Sequence, residues 1–331
     1  MELFAGAGGL ALGLQLSGFS VRALVERDKW CCQTLRTNAP VYFPSANIIQ
    51  KDIRWLTSVS LLKITGLHRS EIDLVSAGPP CQSFSISKIP KGGRSEHDPR
   101  DKLLSHFVRF VKKIGPRTFL FENVPGLLTK SDGRLFRRLL RVFRRLGYVT
   151  HYAIIDAADY GVAQRRRRLI LIGTLELDEK WVFPPPTYGP KSEGGIPRMT
   201  IGETISFLSP KLPNQRIPGC TVEKRKRLES IEPGSEWKHW RHRDRWDGQS
   251  RCITAHCRDD WIHPLEPRAG TVRELASLQS FPPDFIFCGP TNTPHNSMFA
   301  SQYRQIGNSV PVLLAKAIGQ GLVAYLGKTQ A

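Results

Sequence analysis

The sequence predicts an α/β fold, a doubly wound, mostly parallel sheet, joined to a second, smaller and irregular domain. Three observations carry this expectation. Short apolar runs alternate with helical patterns through the first half of the chain, as repeated strand–helix units require. A glycine-rich turn follows the first apolar run at once. Near Trp181 prolines gather and the periodicity fades, which marks a linker and a change of domain.

The elements follow in order. Leu3-Phe4 leads into Gly6-Ala7-Gly8-Gly9 and an apolar helix through Leu16. Val21 to Glu26 reads as a strand. Asp28 to Asn38 reads as a helix, with Asp28 placed to cap it. Ile72 to Ser76 is a strand ending in Gly78-Pro79-Pro80-Cys81, and Thr118 to Val124 is another ending in Glu122-Asn123-Val124. Leu135, Leu139, Val142, Phe143 and Leu146 keep helical spacing within a helix from Ser131 to Leu146, and Gly147 stops it. Leu169 to Ile172 is a further strand. After Pro184-Pro185-Pro186 regular structure returns at Thr271-Val272-Arg273-Glu274, a capping box that starts a helix through Gln279. Val310 to Leu326 reads as an apolar helix.

The chain has 331 residues, enough for about two domains. Lys and Arg number 48 against 29 Asp and Glu, a formal net charge of +19. That imbalance implies an anionic partner, with nucleic acid first. No apolar run can span a bilayer, and the start carries no secretory pattern. The 7 cysteines, odd in number and irregular in spacing, argue for free thiols in a reducing cytoplasm.

Two motifs carry chemistry. Gly6-Ala7-Gly8-Gly9-Leu10-Ala11 matches the glycine turn of nucleotide-binding α/β proteins, and Glu26 stands where an acidic residue takes ribose hydroxyls. The turn alone does not distinguish a nicotinamide cofactor from S-adenosylmethionine. Cys81 follows a parallel strand at the end where ligands bind, on a loop stiffened by two prolines, and is a candidate nucleophile.

The ordered set Phe4-Ala5-Gly6-Ala7-Gly8-Gly9, Pro79-Pro80-Cys81-Gln82, Glu122-Asn123-Val124, Gln164 with Arg166 and Arg168, Arg273-Glu274 with Leu278-Gln279-Phe281-Pro282, and Gly307-Asn308-Ser309-Val310 resembles the DNA cytosine-5 methyltransferases. The resemblance covers nearly the whole chain and is closest to compact bacterial modification enzymes. It implies the sheet of class I S-adenosylmethionine-dependent methyltransferases. It also implies a catalytic and cofactor-binding domain at 1–180, completed by 301–331, and a target-recognition domain with its hinge at 181–300.

The resemblance assigns roles. Cys81 matches the thiolate that adds to cytosine C6, Glu122 the group at N3 and the exocyclic amine, and Arg166 the arginine at O2. Phe4, Gly6, Gly8, Glu26, Asp52, Ile53, Leu103, Asn308 and Val310 match cofactor contacts. Many relatives carry Trp directly after the ribose glutamate; here Arg27 stands there, with Trp30 one turn further on. Ser83 to Arg100 resembles the loop that closes over DNA and offers Ser85, Ser87, Lys88, Lys91 and Arg94. Arg168 and the aromatic, cationic segment with Trp237, Arg241 and Arg243 are further DNA contacts.

The implied partners are duplex DNA and, functionally, a cognate restriction endonuclease. A monomer in the cytoplasm, on the nucleoid, suffices, and neither membrane nor metal is expected. His239, His242, Cys252, His256, Cys257 and His263 lie close in sequence but lack zinc spacing. The arginine-rich face of the 131–146 helix reads first as solvated, then as a DNA-backbone contact, last as a membrane surface. A nicotinamide dehydrogenase would leave Cys81, Glu122, Arg166 and the charge unexplained. A tRNA methyltransferase of the same family would show a Cys-Phe-Thr signature, which is absent. A non-enzymatic relative would have lost the nucleophile. Amino-methylating enzymes carry Pro-Pro-Tyr or similar in place of Pro-Pro-Cys.

Overall fold

The structure is a computed structural model describing residues 1–79, 101–175, 181–237, 241–292, 297 and 299–328. Seven strands form one sheet: β1 Glu2–Leu3, β2 Ala23–Glu26, β3 Asn47–Gln50, β4 Leu74–Ala77, β5 Thr118–Asn123, β6 Tyr148–Asp156 and β7 Arg167–Leu175. Their order is β3-β2-β1-β4-β5-β7-β6. The first five pair in parallel, while β7 runs antiparallel to both β5 and β6. The chain therefore reverses strand order at β1 and β4, and in such sheets ligands bind outside the carboxyl ends at that point.

Two expectations change, and some elements were not expected. The strand expected over four residues at Leu169–Ile172 runs from Arg167 to Leu175 and is the antiparallel member. The helix expected from Ser131 starts at Arg134, because Ser131, Asp132 and Gly133 all have positive φ and cannot join a right-handed helix. Strands β3 and β6, and a helix at Ser58–Thr65, were not legible.

Helices α1 Gly9–Leu16, α2 Lys29–Tyr42, α3 Ser58–Thr65, α4 Asp101–Ile114 and α5 Arg134–Arg145 alternate with the strands. Asp28 caps α2 as expected: its Oδ1 accepts from the backbone N–H of Trp30 and Cys31 at 2.9 and 3.0 Å. Its Oδ2 accepts from Ala300 at 2.6 Å, tying a distant segment to the same cap. Helices α3 to α5 cover one face of the sheet through Leu61, Phe107, Phe110, Phe119, Phe121 and Phe143.

Beyond residue 181 come α6 Ile201–Ile205, α7 Val222–Glu229, α8 Cys257–Asp260, α9 Val272–Leu278, α10 Gln302–Asn308 and α11 Val312–Lys328. A small sheet of β8 Glu236–Trp237, β9 Arg241–Arg243 and β10 Trp261–Ile262 lies among them, in the order β10-β9-β8. The capping box at α9 is present, with Thr271 and Glu274 exchanging hydrogen bonds. One apolar cluster joins Ala5, Ala7, Leu35 and Phe43 to Ile253, Trp261, Leu275, Phe281 and Ile306, so residues 253–306 share a core with the first turn.

Among the described residues no single helix is long and apolar enough to cross a membrane. The apolar α11 instead packs on α1. A Cβ placed on Gly13 would lie 2.4 Å from Ala315 Cβ, 2.5 Å from the Val312 carbonyl oxygen and 2.6 Å from the Lys316 nitrogen. Only glycine permits that approach, and it brings the C-terminal segment beside the first turn.

Gly13→Ala therefore sets a helix-propensity gain of about 1 kcal/mol against overpacking of about 1–3 kcal/mol on backbone that cannot rotate away. We expect net destabilisation, read as a lower urea midpoint at unchanged slope. A raised midpoint would show that α1 and α11 separate freely.

Candidate active site

The carboxyl ends of β1, β2, β4 and β5 open on a cavity of about 270 Å³. Phe4, Gly6, Glu26, Asp52, Ile53, Gly78, Pro79, Leu103, Glu122, Asn308 and Val310 are among its lining residues. Thus seven of the side chains that the resemblance assigned to the cofactor, together with Gly6, meet around one space. Gly8 does not join them. Its φ of 88° begins α1, and a Cβ there would meet Leu35 Cδ2 at 2.7 Å, so its place is in the core behind the turn. Trp30 lies against Gly289 rather than in the cavity lining, whereas Arg27 lines it.

The turn is built on Glu26. Its Oε2 accepts from the Gly6 N–H at 2.9 Å, and its Oε1 from Arg27 and Asp28 at 2.8 and 2.9 Å. Burial raises its pKa and these three donors oppose the rise. One carboxylate thereby closes the first strand–helix turn onto the second strand. Asp52 is held differently. Arg54 grips both its oxygens at 3.0 and 2.8 Å and Arg27 approaches to 3.6 Å. The Arg54 hydrogen bonds pull its carboxyl down to about 2.

At the end of β5, Glu122 is buried and forms an ion pair with Arg168, Oε1 to Nε 3.0 Å. Its Oε2 faces Gly78, where an added Cβ would come within 3.2 Å. The neighbouring Asn123 donates to the Pro79 carbonyl at 3.2 Å, fixing the end of β4. Burial pushes the Glu122 carboxyl above its ordinary range, and Arg168 and then Arg166 pull it back. The result is a carboxyl poised to hold a proton closer to neutrality than a surface glutamate.

Both arginines line the cavity near Glu122, but they are held differently. Strand alternation puts Gln164, Arg166 and Arg168 on the inward side and leaves Arg165 and Arg167 exposed. Arg166, expected at the base, is clamped deeper. Its Nη1 donates to the Ile253 carbonyl at 2.7 Å, and its Nη2 to those of Gly307 and Ser309 at 2.9 and 2.8 Å. Arg168, expected on DNA, faces Glu122. Cys252 Sγ touches both guanidinium groups, at 3.5 Å from Arg166 and 3.9 Å from Arg168. Burial raises this thiol, but the two cations outweigh burial and leave it below its ordinary value. Sequence reasoning missed Cys252; its place beside Ile253, which accepts from Arg166, carries no motif signal.

Of the expected DNA contacts, Arg243 is corrected. It is buried, with Nε on the Pro264 carbonyl at 3.0 Å and Nη1 on that of Ile231 at 2.8 Å, so it braces the loop instead of facing a ligand. Cys81 and the loop residues Ser85, Ser87, Lys88, Lys91 and Arg94 lie outside the described residues, as do the side chains of Trp237 and Arg241. Among the described residues no group of three His, Cys, Asp or Glu is placed to hold a metal.

The profile of the C-5 cytosine-specific DNA methylases matches residues 1–324. The chain is 35% identical to the Type II methyltransferase M1.HphI of Haemophilus parahaemolyticus, over 98% of this chain and 86% of the relative. It is 32% identical to M.Sau96I of Staphylococcus aureus, over 99% and 76%. Among solved structures, a prophage-encoded protein of Escherichia coli described as a DNA modification methyltransferase superposes with TM-score 0.76 at 25% identity, covering 98% of both chains. Spodoptera frugiperda DNMT2 shares the fold at TM-score 0.62 and 18% identity.

Arg168→Gln removes the cation that draws Glu122 down. The carboxyl should then titrate higher, and its ionised form should be left buried without its partner. Stability that depends on the protonated form is present at low pH and lost as pH rises through the folded-state value. The deficit of Arg168→Gln in urea unfolding should therefore widen from pH 5.5 to pH 8; a constant deficit would deny the coupling. Arg166→Gln should act differently. It strands three carbonyls and should destabilise by about 3 kcal/mol or more at every pH in that range.

Proposed function

This chain belongs to the C-5 cytosine-specific DNA methylase family, enzymes that transfer a methyl group from S-adenosylmethionine to C5 of cytosine in DNA, and from that premise we propose how its own residues perform the reaction. The observation that supports the reading best is the buried Glu122–Arg168 pair at the end of β5. It opens onto the cavity that Gly6, Glu26 and Asn308 share.

The cavity fits a nucleoside with a charged tail: apolar walls from Phe4, Ile53, Leu103 and Val310, and a half-buried acceptor at Glu26. S-adenosylmethionine, when bound, supplies an electrophilic methyl group. Glu26 would take its ribose hydroxyls, Phe4 would stack on its adenine beside Asp52 and Ile53, and Gly6 would let the backbone come close.

The protein's own part is proton and charge management. Cytosine C5 is a poor nucleophile. The Cys81 thiolate adds to C6 of a flipped base, and the S–C6 bond makes the ring enamine-like. Glu122 gives its proton to N3 as that bond forms. We assign the O2 contact to Arg168 rather than Arg166, because Arg168 already stands beside Glu122 while the Nη groups of Arg166 hold backbone carbonyls. With C5 nucleophilic the methyl group would transfer to it; loss of the C5 proton to water or another base then expels the thiolate, N3 returns its proton to Glu122, and 5-methylcytosine remains.

The same reading divides the chain into a catalytic part, 1–180 with 301–331, and a target-reading part within 181–300. Lys88, Lys91, Arg94 and the segment around Trp237 and Arg241 would reach the duplex. The enzyme would act as a cytoplasmic monomer on chromosomal DNA, protecting sites from a partner restriction endonuclease. The Type II relatives support that setting.

Bisulfite sequencing of DNA from cells expressing the protein tests reaction and target together; unmodified DNA throughout would refute the reading. A duplex with 5-fluorocytosine at the target should trap a covalent complex when S-adenosylmethionine is present. The adduct should map to Cys81 and vanish in Cys81→Ser. Glu122→Gln should lower the rate by about 10²–10⁴ while leaving cofactor binding intact. Trapping at another cysteine, or full turnover without Glu122, would overturn these assignments.

A further inference from the structure

Helix α5 carries a charge pattern that the reaction does not use. Its sequence is RLFRRLLRVFRR, 12 residues. Phe136, Leu139 and Phe143 are buried against the sheet, while Arg134, Arg137, Arg138, Arg141, Arg144 and Arg145 are all exposed. The helix contains no acidic residue, and among the described residues none of the six makes an ion pair. Arg134 and Arg137 bond only to the Ser131 and Asp132 carbonyls of the preceding turn.

This arrangement is unfavourable for an isolated helix. Arg134 and Arg138, Arg137 and Arg141, and Arg141 and Arg145 are like charges at i,i+4 spacing. Arg134 and Arg137 also sit at the end where the helix dipole is positive. A polyanion along the outer face would relieve both effects. Arginine suits one with phosphate groups, which its fork binds bidentately.

The position of α5 identifies which phosphates. The helix leaves the end of β5 that carries Glu122 and returns to Tyr148, which pairs with Leu175 at the opposite end of the sheet. Its arginine row therefore runs roughly 18 Å away from the active-site rim. The neighbouring α4, joined to it through Phe107 and Phe143 (ring centroids 5.9 Å apart), ends there in exposed Lys112 and Lys113. A duplex lying across the carboxyl ends of the strands meets only the start of this row. The rest faces another stretch of double helix.

We propose that the outer face of α5 is a second duplex-binding surface, which holds a segment of DNA remote from the one in the active site. The inference rests on the DNA-methylating reading above. Two segments held at once would let the enzyme pass from one to the other during its search for targets.

The test uses the full-length protein and the variant Arg138→Gln/Arg141→Gln/Arg144→Gln/Arg145→Gln. A short target duplex should be methylated equally by both, which reports the fold and the parent reading separately. Protein saturated with that short duplex should bind a second, fluorescent non-target duplex. The variant should lose this ternary complex, and its methylation of a long plasmid should fall about 5–10-fold in kcat/KM. Four lost phosphate contacts should remove about 3–4 from the log–log salt slope of second-duplex binding. A wild type that forms no ternary complex, or a variant that forms it unchanged, would overturn the proposal. So would an arginine face that binds phosphatidylglycerol vesicles and not DNA. Failure of both proteins on the short duplex would instead overturn the parent reading.

Discussion

The buried guanidinium of Arg166 is the contact on which the site depends. It joins three segments that the chain keeps far apart: the residues leading into β7, the stretch at Ile253, and the C-terminal end of α10 at Gly307 to Ser309. Gln164 reinforces the joint by accepting from Ile253 N–H and donating to the Leu278 carbonyl. The Ile253 and Ser309 carbonyls lie outside helix and sheet, and those of Gly307 and Leu278 lie in the last turns of α10 and α9, where no intrahelical N–H remains for them, so a five-donor side chain is the economical solution. Once Arg166 is fixed, strand alternation leaves Arg168 no choice of side. It emerges two residues on, facing Glu122.

That geometry sets the electrostatics. A carboxyl buried alone would stay protonated far into the alkaline range and could not cycle. A carboxyl paired tightly in water would be ionised throughout. Glu122 sits between these limits, raised by burial and lowered by Arg168, with Gly78 keeping the facing wall clear of a side chain. The same balance reaches Cys252, whose thiol feels both arginines. Charge tuning in this site is therefore shared by one cluster, and altering any member shifts the others.

Much of this was legible in the sequence because it rests on local rules. The Asp28 cap and the Thr271–Glu274 capping box each need particular residues at fixed offsets, and both formed as read. Strand β3 was not legible because Asn47–Gln50 is short and polar at both ends. Strand β6 was missed because Tyr148–Asp156 alternates around His151 and Tyr152, so its apolar side is broken. The start of α5 was misplaced because left-handed Ser131 and Asp132 carry no glycine signal. The roles of Arg166 and Arg168 could not be separated: both point inward, and only the fold decides which one meets loop carbonyls. Arg243 failed for a related reason, since cations among aromatics read as a surface while this one is enclosed.

The net charge of +19 accordingly divides into two populations with different physics. Arg166, Arg243 and Arg273 are buried and bind backbone carbonyls. Arg273 takes those of Pro213, Pro282 and Phe285, and burial pulls it down to about 10. Such clamps cluster between residues 164 and 285, where strands are few and loop carbonyls need donors. Their donors are engaged by backbone carbonyls and serve to hold loops together. The exposed population on α5, by contrast, has no ion-pair partner among the described residues and faces solvent. A chain rich in arginine can thus organise irregular loops with one set of guanidinium groups while presenting another set to a polyanion. Counting cations alone conflates the two, and burial separates them.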